Sequence, residues 1–463
     1  MTERLSFDTK PSTAVDPREL SIGLVHLGLG AFHRAHQAVY TELAAAATGE
    51  TTWGISGVSQ RSTTVRDQLA PQDGLYSVLE RGLGEPTVRV IASIREMLVA
   101  PEGVVERIAD PAVSVVTLTV TEKGYRASPD GGLDFNDEGV KVDLASATPR
   151  TVVGQLVAGL AARARTGAGP LTLLSCDNLV ANGAVLRRLV HEFAEAKPSP
   201  GLAEQLESAR FPSSMVDRIV PATTDADRAD AERLLGCRDE GVVVAEPFRQ
   251  WVIENDFAAA RPAWERAGAI LTDDVAPWER VKLRMLNATH SLLAYLGALK
   301  GYATIAEAVR DEELFRQALD LMTEDVVPTL DPPADLDLTT YGESVLERFA
   351  NPALKHRTAQ VAMDGSVKLP VRLLGTVRDR LAAGAEPRHA ALAVAAWMRY
   401  VSTAEAIDDP LADRLRAAVT SAKAGPAGLV DALLGVEQVF AADLRDDTTF
   451  RALLTTHLAE LSR

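Results

Sequence analysis

The sequence predicts an α/β domain followed by an all-α domain, and three observations carry the prediction. Near the N-terminus, Ile22-Gly-Leu-Val-His-Leu-Gly28 is a short apolar run that ends in glycine and turns into a helical pattern reaching about Ala47. Strand-length apolar runs then alternate with helical patterns as far as about Val275, after which helix follows helix. Alternating strands and helices mark layered α/β construction, and helices alone mark a second body. At 463 residues the chain is also too long for one ordinary core. The expected domains are residues 1–275 and 276–463.

In chain order, the first strand turns through Gly28-Leu-Gly-Ala-Phe-His-Arg34 into its helix. A strand, a glycine turn and a helix suit a dinucleotide-binding βαβ unit, where glycines let the backbone approach a pyrophosphate. His33 stands where the third glycine of that pattern belongs, so a plain tight turn is the competing reading. Trp53-Gly-Ile-Ser-Gly-Val-Ser59 fits the second strand. An acid at its end would meet a free ribose 2′-hydroxyl. The chain has Gln60-Arg61-Ser62 instead, and Arg61 either meets a 2′-phosphate or faces solvent. NAD against NADP therefore stays open at this point.

Leu75 to Glu80 and Val88 to Ile94 read as paired strands, and Val113–Thr121 as a buried strand ending in the polar group Glu122-Lys-Gly-Tyr125. A helix is expected over about Thr151–Thr166. The strand Leu171–Ser175 then leads into Cys176-Asp177-Asn178 and a helix from Ala181. Asn178 is either a cap or loop residue or an amide donor in a cleft. In Phe211–Pro221, Asp217 and Arg218 either pair with each other or serve a site. Val242–Asp256 reads as two short strands hinged at Pro247.

The helical half is expected to hold helices at 279–299, 303–325, 342–350, 369–384, 388–404, 410–422, 427–434 and 447–461. The first carries Lys282, Asn287 and His290 among Leu, Met, Ala and Tyr. At about 100° per residue, Lys282, His290 and Asn287 fall near 0°, 80° and 140°, with Glu279 near 60°. Buried polar groups of this kind need partners. The ordinary account is a Glu279–Lys282 ion pair and a hydrogen-bonded core histidine; the other is a site. Further on, Lys355, His356, Arg357, Lys368 and Arg372 form either a solvated surface or an anion site, since guanidinium forks match carboxylates.

The net charge, 48 − 64 = −16, argues against a broad nucleic-acid or membrane-surface footprint. Two cysteines, Cys176 and Cys237, suit a reducing compartment. The start lacks a signal-peptide layout and no apolar run reaches membrane-spanning length, so a cytoplasmic protein is expected.

Gly28-Leu-Gly-Ala-Phe-His-Arg-Ala-His-Gln-Ala, Thr119–Tyr125, Ser175–Asn178, Met215–Pro221 and the Lys282, Asn287, His290 spacing together resemble the mannitol dehydrogenase family of polyol-specific long-chain dehydrogenases. The resemblance covers nearly the whole chain. It implies a Rossmann-type N-terminal domain, a mostly α-helical C-terminal domain, NAD or NADP between them, no metal and a monomer. It also implies Lys282 as general acid/base, with Asn287, His290 and Asn178 catalytic. Gly28, Gly30, Ala31, Phe32, Arg61, Glu122 and Asp217 are implied on the cofactor side. Within the family, Glu246–Glu254, Lys282–Asn287, His356–Pro370 and Ala396–Tyr400 most resemble the fructuronate reductase branch. That branch interconverts D-mannonate and D-fructuronate; an uncharged hexitol or pentitol is the alternative substrate. Arg249, Arg284, Arg357, Lys368 and Arg372 are the candidates for a substrate carboxylate, and Gln360 stands where mannitol dehydrogenases carry arginine.

Overall fold

The computed structural model describes residues 2–9 and 11–462. The chain divides into two compact units, Met1–Val275 and Ala276–Arg463.

The strands of the first unit are β1 (Ile22–Leu27), β2 (Gly54–Ser59), β3 (Tyr76–Glu80), β4 (Thr87–Ile91), β5 (Ile94–Val99), β6 (Val115–Leu118), β7 (Thr172–Ser175), β8 (Ser214–Asp217), β9 (Val243–Ala245), β10 (Gln250–Glu254) and β11 (Ile270–Thr272). Five of them make one sheet in the order β5-β2-β1-β6-β7, and every pair in it is parallel. Both faces are covered, which explains why these strands read as continuous apolar runs. Val25, Leu27, Val116 and Leu118 pack to one side, with Leu156, Leu160 and Leu186 of the covering helices. Leu24, Ile55, Val115 and Leu174 pack to the other, against Tyr40, Trp251 and Trp264. The alternation follows the two-residue period of a strand.

Two three-stranded sheets, β4-β3-β9 and β11-β10-β8, accompany the large one. The two strands expected to hinge at Pro247 therefore belong to different sheets. β9 runs parallel to β3 and β10 antiparallel to β8. The break lies where Pro247 supplies no amide for a ladder.

The second unit is helical around one large core that includes Leu292, Leu293, Leu373, Trp397, Phe440 and Phe450. Among the described residues, three of its helical paths contain a π-register turn, at Lys282–Asn287, Leu321–Val326 and Pro370–Leu374. The last follows from Pro370, which has no N–H for the ordinary ladder. The expected helix over 303–325 is broken at Asp311, whose carboxylate accepts from the amides of Glu313 and Leu314 and starts Glu312–Asp320 afresh. Thr358–Ala362 and Ala442–Arg445 are short helices that the periodicity did not announce.

Candidate active site

In the first unit the strand order reverses at β1, whose neighbours are β2 and β6. Open α/β sheets bind ligands outside the carboxyl ends of strands at such a point. A cavity of about 440 Å³ lies there, lined by Gly28, Gly30, Arg61, Thr119, Thr121 and Arg150 among others. Gly28 has φ +108° and a Cβ on it would lie 2.0 Å from the Thr119 carbonyl oxygen, so the turn itself demands glycine. A Cβ on Gly30 would meet nothing nearer than 3.7 Å. Gly30 therefore keeps open space at the cavity without being needed for the fold.

Beneath the turn, His26 Nδ1 lies 2.7 Å from the Thr117 hydroxyl, and Nε2 lies 2.8 Å from that of Thr119 and 3.1 Å from the Gly28 carbonyl. His33 stacks on His26 with ring centroids 3.4 Å apart. An imidazole sandwich thus does the helix–strand spacing that a third glycine does elsewhere. Burial pushes the His26 imidazole down to about 3 and holds His33 well below the ordinary range. Ala31 and Phe32 open the five-residue helix Ala31–Ala35.

The opposite wall is held by an acid the sequence reading passed over. Asp177 accepts from the Val120 amide at 3.0 Å, the Thr121 amide at 2.8 Å and the Tyr125 hydroxyl at 2.8 Å. Burial pushes its carboxyl up, against the pull of those bonds. Thr121 has φ +66°, rare for a β-branched residue and a strained state that its surroundings must enforce. The signal was there: an acid directly after an apolar strand, next to Asn178. Asn178 itself is exposed in the turn after β7, and Glu122 is exposed at the start of the 3-10 turn Glu122–Tyr125.

Asp217 ends β8, buried, opposite Gln250. Arg218 sends its guanidinium to Glu80 at 2.6 Å and to the Glu246 carbonyl at 2.9 Å. Arg249 lies over the Tyr40 ring at 5.4 Å, and its Nε is buried with no hydrogen-bond partner among the described residues.

In the second unit the helical path Ala276–Val281, Lys282–Asn287, Ala288–Leu299 corrects the even 100° placement. An i→i+5 register holds about 4.4 residues per turn, or about 80° per residue. Lys282, His290 and Asn287 then fall within about 60° of one another, rather than about 140°. The π turn therefore gathers the three onto one face. Lys282 is 6% exposed and His290 8%.

His290 stacks on Phe349 at 4.6 Å and meets His356 edge-on at 4.7 Å. Its Nε2 is buried with no hydrogen-bond partner among the described residues, a state that costs about 1–3 kcal/mol unless a ligand fills it. Burial first, then electrostatic interaction with His356, Arg372, Lys368 and Arg348, holds its pKa well below the usual range. Arg372 donates to the Ser291 hydroxyl at 3.0 Å and toward the Asn287 carbonyl at 3.4 Å. Lys368 donates to the Val361 carbonyl at 3.2 Å.

Arg284 faces elsewhere, donating to the Thr329 hydroxyl at 2.8 Å and to Asp379 at 2.6 Å. Arg357 is exposed just before the helix Thr358–Ala362, and Gln360 is exposed as well.

Known proteins share this architecture. The mannitol dehydrogenase Rossmann domain profile matches residues 22–266 and the mannitol dehydrogenase C-terminal domain profile residues 274–462. D-mannonate oxidoreductase of Escherichia coli is 42% identical over 96% of this chain and 94% of its own. Mannitol 2-dehydrogenase of Pyrenophora tritici-repentis is 37% identical over 95% of this chain and 80% of its own. The Pseudomonas fluorescens mannitol 2-dehydrogenase, solved as a ternary complex with NAD and D-mannitol, superposes with a TM-score of 0.89 at 35% identity, covering 99% of this chain and 97% of that one. The chain belongs to the mannitol dehydrogenase family and is an oxidoreductase acting on a CH–OH group.

Proposed function

We propose that this enzyme interconverts D-mannonate and D-fructuronate with NAD(H), and that the sugar-acid carboxylate is what the cationic surroundings of His290 serve. The observation that carries the reading is that Arg372 brings a guanidinium to the Asn287 carbonyl and the Ser291 hydroxyl, on the helix whose His290 keeps a buried Nε2 with no hydrogen-bond partner among the described residues. A uronate presents a carboxylate that a guanidinium fork can meet, and an uncharged polyol presents none. Arg372, tied to the Asn287 and Ser291 positions, is the preferred contact over Arg284, whose guanidinium goes instead to Thr329 and Asp379.

The cavity at β1 fits a dinucleotide: open space at Gly30, main-chain groups at three strand ends, and Arg61 and Arg150 on its wall. Bound there, the nicotinamide supplies or accepts the hydride. Lys282 takes the substrate hydroxyl proton during oxidation and returns it during reduction. Asn287 donates a hydrogen bond to the developing alkoxide, and His290 orients the sugar through its unfilled Nε2.

Steady-state oxidation of NADH and of NADPH with D-fructuronate and, separately, D-fructose tests the reading. Turnover with fructuronate and little with fructose is expected. Efficient turnover with fructose alone would make the substrate an uncharged polyol and leave the charges around His290 without this role. The preferred nucleotide in the same assay decides what Arg61 meets.

A further inference from the structure

The segment around His356 is shaped to hold one side chain inward. Lys355 adopts a left-handed φ of +48°, an unfavourable state for a lysine that ends the 3-10 turn Pro352–Leu354 just before His356. The main chain is then pinned on both sides. The His356 carbonyl accepts from the Ile305 amide at 2.9 Å and the Thr358 amide donates to Ala303 at 3.1 Å. The Thr358 hydroxyl adds a bond to the Tyr302 carbonyl at 2.8 Å. So constrained, the imidazole reaches the edge of His290 at a centroid distance of 4.7 Å. Its Nδ1 is buried and, like His290 Nε2, has no hydrogen-bond partner among the described residues.

Two neighbouring imidazoles with unfilled buried nitrogens are uncommon, because native interiors satisfy their polar atoms. Nor do they satisfy each other: the rings meet at 69° and both atoms remain unpaired. Burial and then Lys368 push His356 down to about 4, so at neutral pH its ring carries one N–H and no charge. Such a ring donates to an anion's oxygen without bringing a further cation into a cluster that already holds Arg372 and Lys368.

We propose that His356 is a specificity-determining residue of this site, donating an imidazole N–H to the carboxylate of an open-chain sugar acid beside Arg372, and so selecting acids over uncharged polyols. The inference rests on the uronate reading above and adds a residue to it. Arg372 supplies the charge; His356 supplies a directional donor that fixes the carboxylate against His290.

The test uses the full-length enzyme and compares His356→Phe, which keeps a ring against His290, with His356→Gln, which keeps an N–H donor. For His356→Phe, KM for D-fructuronate should rise about 10–100-fold, as expected for losing a hydrogen bond to a charged group. Its kcat should stay within about threefold of wild type, with an unchanged melting temperature, and His356→Gln should recover most of the affinity. A His356→Phe enzyme with wild-type KM for fructuronate would overturn the proposal. So would parallel losses of kcat and melting temperature, which would mark His356 as packing. Failure of the underlying reading shows separately, in a wild-type enzyme that does not turn over fructuronate, and that result removes the proposal as well.

Discussion

In the first unit the candidate site is made of main chain: strand ends, a glycine turn at Gly28 and an amide pair held by Asp177. In the second unit it is made of side chains, Lys282, Asn287 and His290, projected from a single helical path and ringed by further cations. The difference follows from what each layer offers. Parallel strands leave unpaired amides and carbonyls at their ends, suited to a large ligand recognised along its backbone. A helix has its main chain closed on itself, so only side chains reach a ligand, and their azimuth decides what they can do together. One site is tuned by backbone strain, the other by helical register.

If the division is right, damage to the second site should leave dinucleotide binding alone. Lys282→Ala is expected to lower kcat by about 10²–10⁴, with the dinucleotide Kd from nicotinamide fluorescence and the Tm both unchanged. Near-normal turnover across the pH range would remove Lys282 from the chemistry.

The two glycines of the first site separate fold from function. Gly28→Ala puts a Cβ 2.0 Å from the Thr119 carbonyl oxygen and should destabilise the protein by about 2–4 kcal/mol. Gly30→Ala, with 3.7 Å of room, should melt like wild type yet weaken dinucleotide binding about 10-fold or more, because the backbone approach is lost. Wild-type affinity in Gly30→Ala would place the cofactor away from that turn.

Asp177→Asn tests the clamp. Three donors face that carboxylate, and an amide cannot serve all of them, so a loss of about 1–3 kcal/mol is expected in denaturant unfolding. KM for the dinucleotide should rise while KM for the sugar stays put. Equal changes in both would mean that the clamp does not belong to one site.

The smallest effect concerns pH. Burial pushes Glu42 up to about 7 from an ordinary 4.5, against hydrogen bonds from the Ala92, Ala14 and Ser93 amides. Between those values the folded state holds a proton that the unfolded state has released, so stability falls as pH rises through about 7. Glu42→Gln should flatten that fall, narrowing the difference in Tm between about pH 5 and about pH 8. An unchanged slope would show that Glu42 ionises normally.

Much of this was legible along the chain. The run Ile22–Gly28 and the end of strand signals near Val275 located the sheet and the helical unit, because burial on both faces of a parallel sheet leaves a sequence trace. Lys282, Asn287 and His290 stood out because polar residues in an apolar helix need an explanation. Asp177 did not, since a buried acid and an exposed turn acid look alike until the amides of Val120 and Thr121 are brought beside it. Arg284 and Arg372 were equal in the sequence. Asp379, distant in the chain from Arg284, and Ser291, distant from Arg372, tell them apart.

The sequence by itself determined the order of the domains, the strand–turn–helix at Gly28, and which residue types were available for chemistry. These rest on local periodicity and on the short-range demands of glycine and proline. Only the tertiary structure decided which of those residues act together. The π register that narrows the arc from Lys282 to Asn287, and the strained Thr121 and Lys355 backbones, have no local signature. They exist because contacts from elsewhere in their units hold conformations that the segments would not adopt alone.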